Sequence, residues 1–221
     1  MKRQREIAAV IIEPIQAEGG DRHASAWFFK QLRKITKENN VLMIVDEVQT
    51  GVAITGKFWA FEHWNLDRDD QPDIVTFSKK MQLAGCYFGP ELRPLHSYRN
   101  FNTWMGDPVR LLQANFIINE IEKQDLINRV VETGNYLTSK LEDLANISVI
   151  ENVRGQGLFI AFDLPSVKQR DDVVFNLRQY GVNTGGCGER SVRLRPMLIF
   201  DKDHAGVFLG ILQRVLNKLA F

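Results

Sequence analysis

Hydrophobic residues in this chain fall into two rhythms. Unbroken apolar runs at Ile7 to Ile12 and Val41 to Val45 predict strands buried on both faces, and Asp73 to Ser78 is a third β-rich run. Between the first two, Phe28, Leu32 and Ile35 recur at helical spacing, with Ser25 as N-cap and Asn39-Asn40 as the stop. Strand, crossover helix, strand predicts a parallel sheet. Phe58 to Trp64 predicts a short helix whose aromatic rings pack, and Asp67 to Pro72 an acidic loop. Asp107 and Pro108 read as N-cap and first residue of a helix carrying Leu111, Leu112, Asn115, Ile118 and Ile121. Near Gln124 the character changes. Leu126, Val130, Leu137, Leu141 and Leu144 form one stripe on a long helix, and Val149 to Leu164 reads as a hairpin-like pair around Arg154-Gly155-Gln156-Gly157. Residues 168–180 predict a helix ending at Gly181. Val192 to Arg195 alternates, Val and Leu on one face, Arg193 and Arg195 on the other. A last helix carries Phe208, Ile211, Leu212, Val215 and Leu219.

Composition narrows the class without naming it. A chain of 221 residues buries one core or two small ones. Its 28 basic and 27 acidic residues are interspersed, for a net charge of +1, so there is no basic stripe of the kind nucleic-acid binding needs. No apolar run approaches the length of a membrane span. Cys86 and Cys187 are far apart and lack metal-ligand spacing, which argues for a reducing compartment and against a disulfide framework. Met1 to Glu6 is charged but too short for a targeting peptide, and it runs straight into a strand, so the chain is expected to begin in mid-fold.

The candidate chemistry sits where strands end. The run ending at Val45 stops on Asp46, and a charge at the end of a buried strand is costly unless paired. In open α/β sheets, ligands sit beyond the carboxyl ends of the strands. Asp46 is therefore held by a neighbouring cation or aimed at a ligand. The run ending at Ser78 stops on Lys79 and Lys80, which spacing alone reads as solvated surface cations sooner than as site residues. A lysine that forms a Schiff base, with an aspartate facing the pyridinium nitrogen, is the working pair of a pyridoxal phosphate site.

A set of motifs now occurs in order: Glu13-Pro14-Ile15-Gln16-Ala17-Glu18-Gly19-Gly20-Asp21; Ile44-Val45-Asp46-Glu47-Val48-Gln49-Thr50-Gly51; Thr55-Gly56-Lys57-Phe58-Trp59-Ala60; and Thr76-Phe77-Ser78-Lys79-Lys80. Phe101-Asn102-Thr103-Trp104, Gly106-Asp107-Pro108 and Val192-Arg193-Leu194-Arg195-Pro196 follow. Together they resemble the class III, fold-type I pyridoxal phosphate aminotransferases, and within them the branch acting on 4-aminobutyrate, over essentially the whole chain. The resemblance implies an α/β fold: residues 1–123 as the second half of the large parallel-sheet domain and 124–221 as a small α+β C-terminal domain. It implies pyridoxal 5'-phosphate as cofactor, with Lys79 as Schiff-base lysine and proton shuttle, its amine activated by burial and a nearby cationic ring. Asp46 would be the pyridinium partner, Val48 would pack on the ring and Gln49 would lie near its phenolic oxygen. Thr103 would reach the cofactor phosphate of a partner subunit, making a homodimer with a shared site. Glu47 and Lys80 would be structural.

The same resemblance pairs Glu18 with Arg193. The physical reason is that a transaminase must take both a mono-carboxylate amine and a dicarboxylate. An arginine that grips the second carboxylate would be left unpaired by the smaller substrate, at a cost of several kcal/mol if buried. A glutamate that covers it and swings away removes that cost. The substrates implied are 4-aminobutyrate and 2-oxoglutarate, and the implied compartment is the mitochondrial matrix. The chain is expected to be a C-terminal half only. The other half would supply the main phosphate loop, the ring-stacking aromatic, an arginine for the substrate carboxylate and the cysteine pair of an iron–sulfur cluster. Val52-Ala53-Ile54 and Gln82-Leu83-Ala84 stand where the family is richer in glycine, so the crevice geometry could differ. Alternatives are another ω-amino acid transaminase, of ornithine or β-alanine type, and a non-catalytic remnant.

Overall fold

A computed structural model of the chain describes residues 6–219; residues 1–5, within the charged stretch judged too short for a targeting peptide, lie outside the described residues. Two four-stranded sheets organise the fold. The first contains β1 (Ala9–Ile12), β4 (Leu42–Asp46), β5 (Ile74–Phe77) and β6 (Gly85–Phe88), in that order. β1, β4 and β5 are parallel, as the strand, helix, strand pattern predicts, and β6 adds antiparallel to β5. Between β1 and β4 lie the small ribbon of β2 (Ile15–Gln16) with β3 (Arg22–His23) and the helix α1 (Ala26–Glu38). The helix α2 (Pro108–Lys123) then leads to α3 (Leu126–Ala145). The second sheet is antiparallel, in the order β7 (Glu151–Gln156), β8 (Phe159–Asp163), β10 (Ser191–Leu194), β9 (Gly185–Cys187). The helices α4 (Val167–Gln179) and α5 (Lys202–Leu219) complete it.

Local chemistry sets the element ends. Ser25 Oγ accepts from the Phe28 N–H at 3.2 Å, and Asp107 Oδ1 accepts from Val109 N at 2.9 Å with Pro108 at the first helical position. Gly181, at φ 85°, closes α4 in the left-handed region glycine adopts freely. The α3 stripe is as expected, with Leu126, Val130, Leu137 and Leu141 buried. The hairpin, the alternating strand and the last helix also form where the periodicity placed them. Beneath the second sheet, Ile160, Phe162, Val192, Leu177 and Leu212 belong to one buried cluster. Burial of each such side chain contributes about 1.5–3 kcal/mol.

α1 departs from its expected face. Phe28 and Ile35 are exposed; Phe29, Arg33 and Thr36 point inward instead. Phe29 stacks on Trp64 with ring centroids 4.0 Å apart. Arg33 is drawn in by Asp73, donating to both carboxylate oxygens at 2.7 and 3.0 Å, while Met43 N donates to Asp73 Oδ2 at 2.6 Å. That fork satisfies a charge inside, which outweighs the apolar stripe one residue earlier. β4 is central but asymmetric: Met43 and Val45 are buried, while its other residues are only half-buried.

Candidate active site

Register places the predicted pair at one sheet edge. Asp46 is the last residue of β4 and lies opposite Thr76 of β5, three residues before Lys79. Thr76 Oγ1 and Val48 N both donate to Asp46 Oδ1, at 3.2 and 3.0 Å. Both hydrogen bonds to this half-buried carboxylate among the described residues fall on one oxygen, and no lysine, arginine or histidine pairs with it. The neighbouring-cation reading of Asp46 is thereby removed within these residues. Glu47, by contrast, turns inward as expected: Thr50 Oγ1 and Phe61 N each donate to it at 2.8 Å, and burial pushes its carboxyl up to about 7.

The two adjacent lysines diverge. The chain turns through a short 3₁₀ segment, Lys79–Met81, in which Lys79 has φ 42° and Gln82 φ 56°. Gln82 donates to the Lys79 carbonyl from its backbone N at 2.8 Å and from its side chain at 2.9 Å. Lys79 is exposed, so the expected burial of its amine is not provided by this chain. Lys80 is the inward lysine. Its ammonium donates to the Pro196 carbonyl at 2.9 Å, and burial, aided by the Arg195 charge, pushes it down to about 8. Consecutive side chains on a 3₁₀ turn point in different directions, and Lys80 is the one that meets the Pro196 carbonyl.

Across the crevice, the segment after β2 meets the second sheet. Gly188 N donates to the Glu18 carbonyl at 3.0 Å, and the Glu18 carboxylate forms an ion pair with the Arg193 guanidinium. Arg193, followed by the Gln49 amide and the Lys79 charge, holds the Glu18 carboxyl below the usual carboxylate range. Glu18, Arg193, Gln49 and Lys79 thus gather at one place, and Asp46 and half-buried Val48 lie on the connected strand end. Thr103 stands apart, exposed in the loop before α2.

The sequence did not single out Asp21, Arg154 or Arg195. Arg195 donates from Nε to Gln49 Oε1 at 2.9 Å and from one Nη to fully buried Asp21. Its guanidinium lies 3.3 Å above the Phe159 ring centroid. Arg154 donates to the Asp21 and Gly20 carbonyls and to Ser191 Oγ, at 2.9, 2.6 and 2.9 Å. The alternation in 192–195 put Arg195 beside Arg193, which was the one available signal. Cys187 is buried beside Asp21, and burial pushes its thiol up to about 11, which suits an inert side chain.

The pattern of the family described as aminotransferase class-III matches residues 1–216. The chain is 54% identical over 215 residues to a 4-aminobutyrate aminotransferase of Dictyostelium discoideum, covering 96% of this chain and 43% of that protein. It is 46% identical over 217 residues to the mitochondrial 4-aminobutyrate aminotransferase of Mus musculus, covering 97% and 43%. The chain therefore spans less than half the length of these curated relatives. Among solved structures, a lysine aminotransferase from M. tuberculosis superposes with a TM-score of 0.88 at 34% identity, over 95% of this chain and 49% of that one.

Proposed function

Because this chain belongs to the class III aminotransferases, we propose that it is the cofactor-lysine part of an enzyme moving the amino group of 4-aminobutyrate to 2-oxoglutarate. The products are succinate semialdehyde and glutamate. The observation that carries this reading is Asp46: a half-buried carboxylate at the sheet edge, with no cation beside it among the described residues, in register with the strand that delivers Lys79. Such a carboxylate calls for a cationic ligand, and the donor set fits pyridoxal 5'-phosphate, the cofactor of class III aminotransferases. When bound, that group supplies a reactive aldehyde and a ring that accepts electrons.

Each residue then has one task. Asp46 would hold a proton on the ring nitrogen. The Lys79 amine would hold the cofactor through its aldehyde and, when free, would serve as the base that moves a proton at the substrate carbon. Val48 would pack on the ring, and Gln49 would donate toward its phenolic oxygen. Arg193 receives the second carboxylate of 2-oxoglutarate or glutamate, and Glu18 covers it when the mono-carboxylate amine is bound. Closure against the rest of the protein would give Lys79 the dry surroundings it lacks here.

Thr103 fits a role on the cofactor phosphate of a second copy. Tyr98, Phe101, Trp104, Val109, Leu112 and Phe116, its neighbours along the chain, are all exposed apolar side chains of the kind a homodimer interface would cover. The division into a large domain through residue 123 and a small one from 124 belongs to the same proposal, as does a mitochondrial matrix location; the name of the mouse relative supports its mitochondrial part.

The test is to incubate the purified protein with pyridoxal 5'-phosphate, reduce with borohydride and map the adduct. We expect it on the Lys79 peptide, absent in Lys79→Ala. A folded protein that gains no adduct there would overturn the proposal. A panel of 4-aminobutyrate, ornithine and β-alanine as donors then reads the substrate class.

A further inference from the structure

We propose that Arg195 is a positioning residue that fixes the rotation of the Gln49 side-chain amide, so that its NH2 group faces Glu18 and the cofactor crevice. An amide side chain has one accepting end and one donating end. A guanidinium can only donate. Arg195 Nε donates to Gln49 Oε1 at 2.9 Å, which commits the oxygen to Arg195 and leaves the NH2 as the end that points elsewhere. On that side lies the Glu18 carboxylate, ion-paired with Arg193 and held low chiefly by it, with a smaller contribution from the Gln49 amide, and a carboxylate can only accept. Rotating the amide by half a turn would set Nε2 against the guanidinium, losing the hydrogen bond to Arg195, and would turn Oε1 toward the carboxylate.

Arg195 is itself held in place. Its other donors go to the Ile160 carbonyl at 3.2 Å, the Leu194 carbonyl at 2.9 Å and Asp21, and it stacks on Phe159. A guanidinium fixed by three partners and an aromatic face has no freedom to release Gln49. It also joins the loop after β4 to Asp21, three residues beyond Glu18, so the two sides of the crevice share one anchor. The consequence for the cofactor rests on the function proposed above: a donor preset toward an anionic aromatic oxygen stabilises that oxygen without reorganisation.

The experiment has a cofactor-free arm. Side-chain carboxyls of Glu and side-chain amides of Gln are labelled, and the protein is titrated by NMR as wild type, Arg195→Lys, Gln49→Met and the double variant. Arg195→Lys keeps the charge and removes the Nε donor. We expect the Glu18 titration to move up in each single variant and no further in the double, with faster exchange of the Gln49 NH2 protons in Arg195→Lys. A Glu18 titration unchanged in Arg195→Lys, or single-variant shifts that simply add, would overturn the proposal. Should Arg195→Lys fail to fold, wild type alone decides: Gln49 NH2 protons close to Glu18 Hγ support it, and the same protons close to Arg195 Hε reject it. In the cofactor arm, we expect the visible band of bound pyridoxal 5'-phosphate to change at a different pH in Arg195→Lys, as in Gln49→Met, with roughly tenfold weaker binding. Absence of cofactor binding in wild type would count against the function proposed above, while the titration arm would still judge Arg195.

Discussion

Glu18 and Arg193 form an ion pair between residues 175 positions apart, closing the segment after β2 onto β10, the strand of the second sheet that comes last in the chain. The Glu18 side chain is 71% exposed, so solvent screens the pair and it adds about 0–1 kcal/mol to stability. On the function proposed above, its value lies in occupancy rather than strength. Glu18→Ala is expected to leave the urea midpoint nearly unchanged, to tighten 2-oxoglutarate binding and to slow turnover of 4-aminobutyrate. Calorimetry with 2-oxoglutarate checks this. Equal affinity in wild type and variant would remove Glu18 from the gate.

Glu47 makes stability depend on pH near neutrality. Its side chain is buried, and burial raises its carboxyl from 4.5 to about 7, against the donors from Phe61, Ala60 and Thr50. Between those values the folded state binds more protons than the unfolded one, so stability falls as pH rises from about 4.5 to about 7 and is level above. A shift of this size corresponds to at most about 3.5 kcal/mol. Glu47→Gln mimics the protonated acid, with the Thr50 hydroxyl free to turn and accept. We expect the variant to lose this slope and to be more stable than wild type above pH 7, read by chemical denaturation at pH 5 and pH 8.

Val52 and Ala53 sit at φ 62° and 71°, in the left-handed region, and both are buried. Their N–H groups both donate to the Phe58 carbonyl, at 2.8 and 3.2 Å, which forces the turn. The left-handed conformation costs a residue with a Cβ roughly 1–2 kcal/mol. Ala53→Gly removes that cost and little packing, so it is expected to stabilise by about 1 kcal/mol. Val52→Gly removes the same strain and a buried side chain contributing about 1.5–3 kcal/mol, so it is expected to be neutral or destabilising. Paired denaturation curves check the opposite signs.

The Arg33–Asp73 fork fixes α1 over the first sheet. The Arg33 side chain is 8% exposed, and removing it leaves Asp73 half-buried beside Met43 N without its cation. Arg33→Leu is expected to destabilise by about 3 kcal/mol, in line with a broken buried pair. Arg33→Lys recovers only part of this, since an ammonium cannot donate to both oxygens in a fork. The Asp73→Asn/Arg33→Leu double variant should lose less than the sum of the two.

Sequence alone determined the elements and the edge on which the chemistry lies. Apolar runs, caps such as Ser25 and Asp107, and strands ending on Asp46 and Lys79 are local features, and local sterics and hydrogen bonds are written in neighbouring residues. The pairing of Glu18 with Arg193 was legible through motif resemblance; spacing could not supply it. Tertiary structure decided the rest: that Lys80 turns inward, that α1 buries Arg33, that β6 adds antiparallel, and that Arg195 bridges Gln49 to Asp21. Each depends on a partner far along the chain, Pro196 for Lys80 at 116 positions and Asp21 for Arg195 at 174. A contact across such a distance leaves no period in the sequence, because it is set by which polar group finds an acceptor once the two sheets meet.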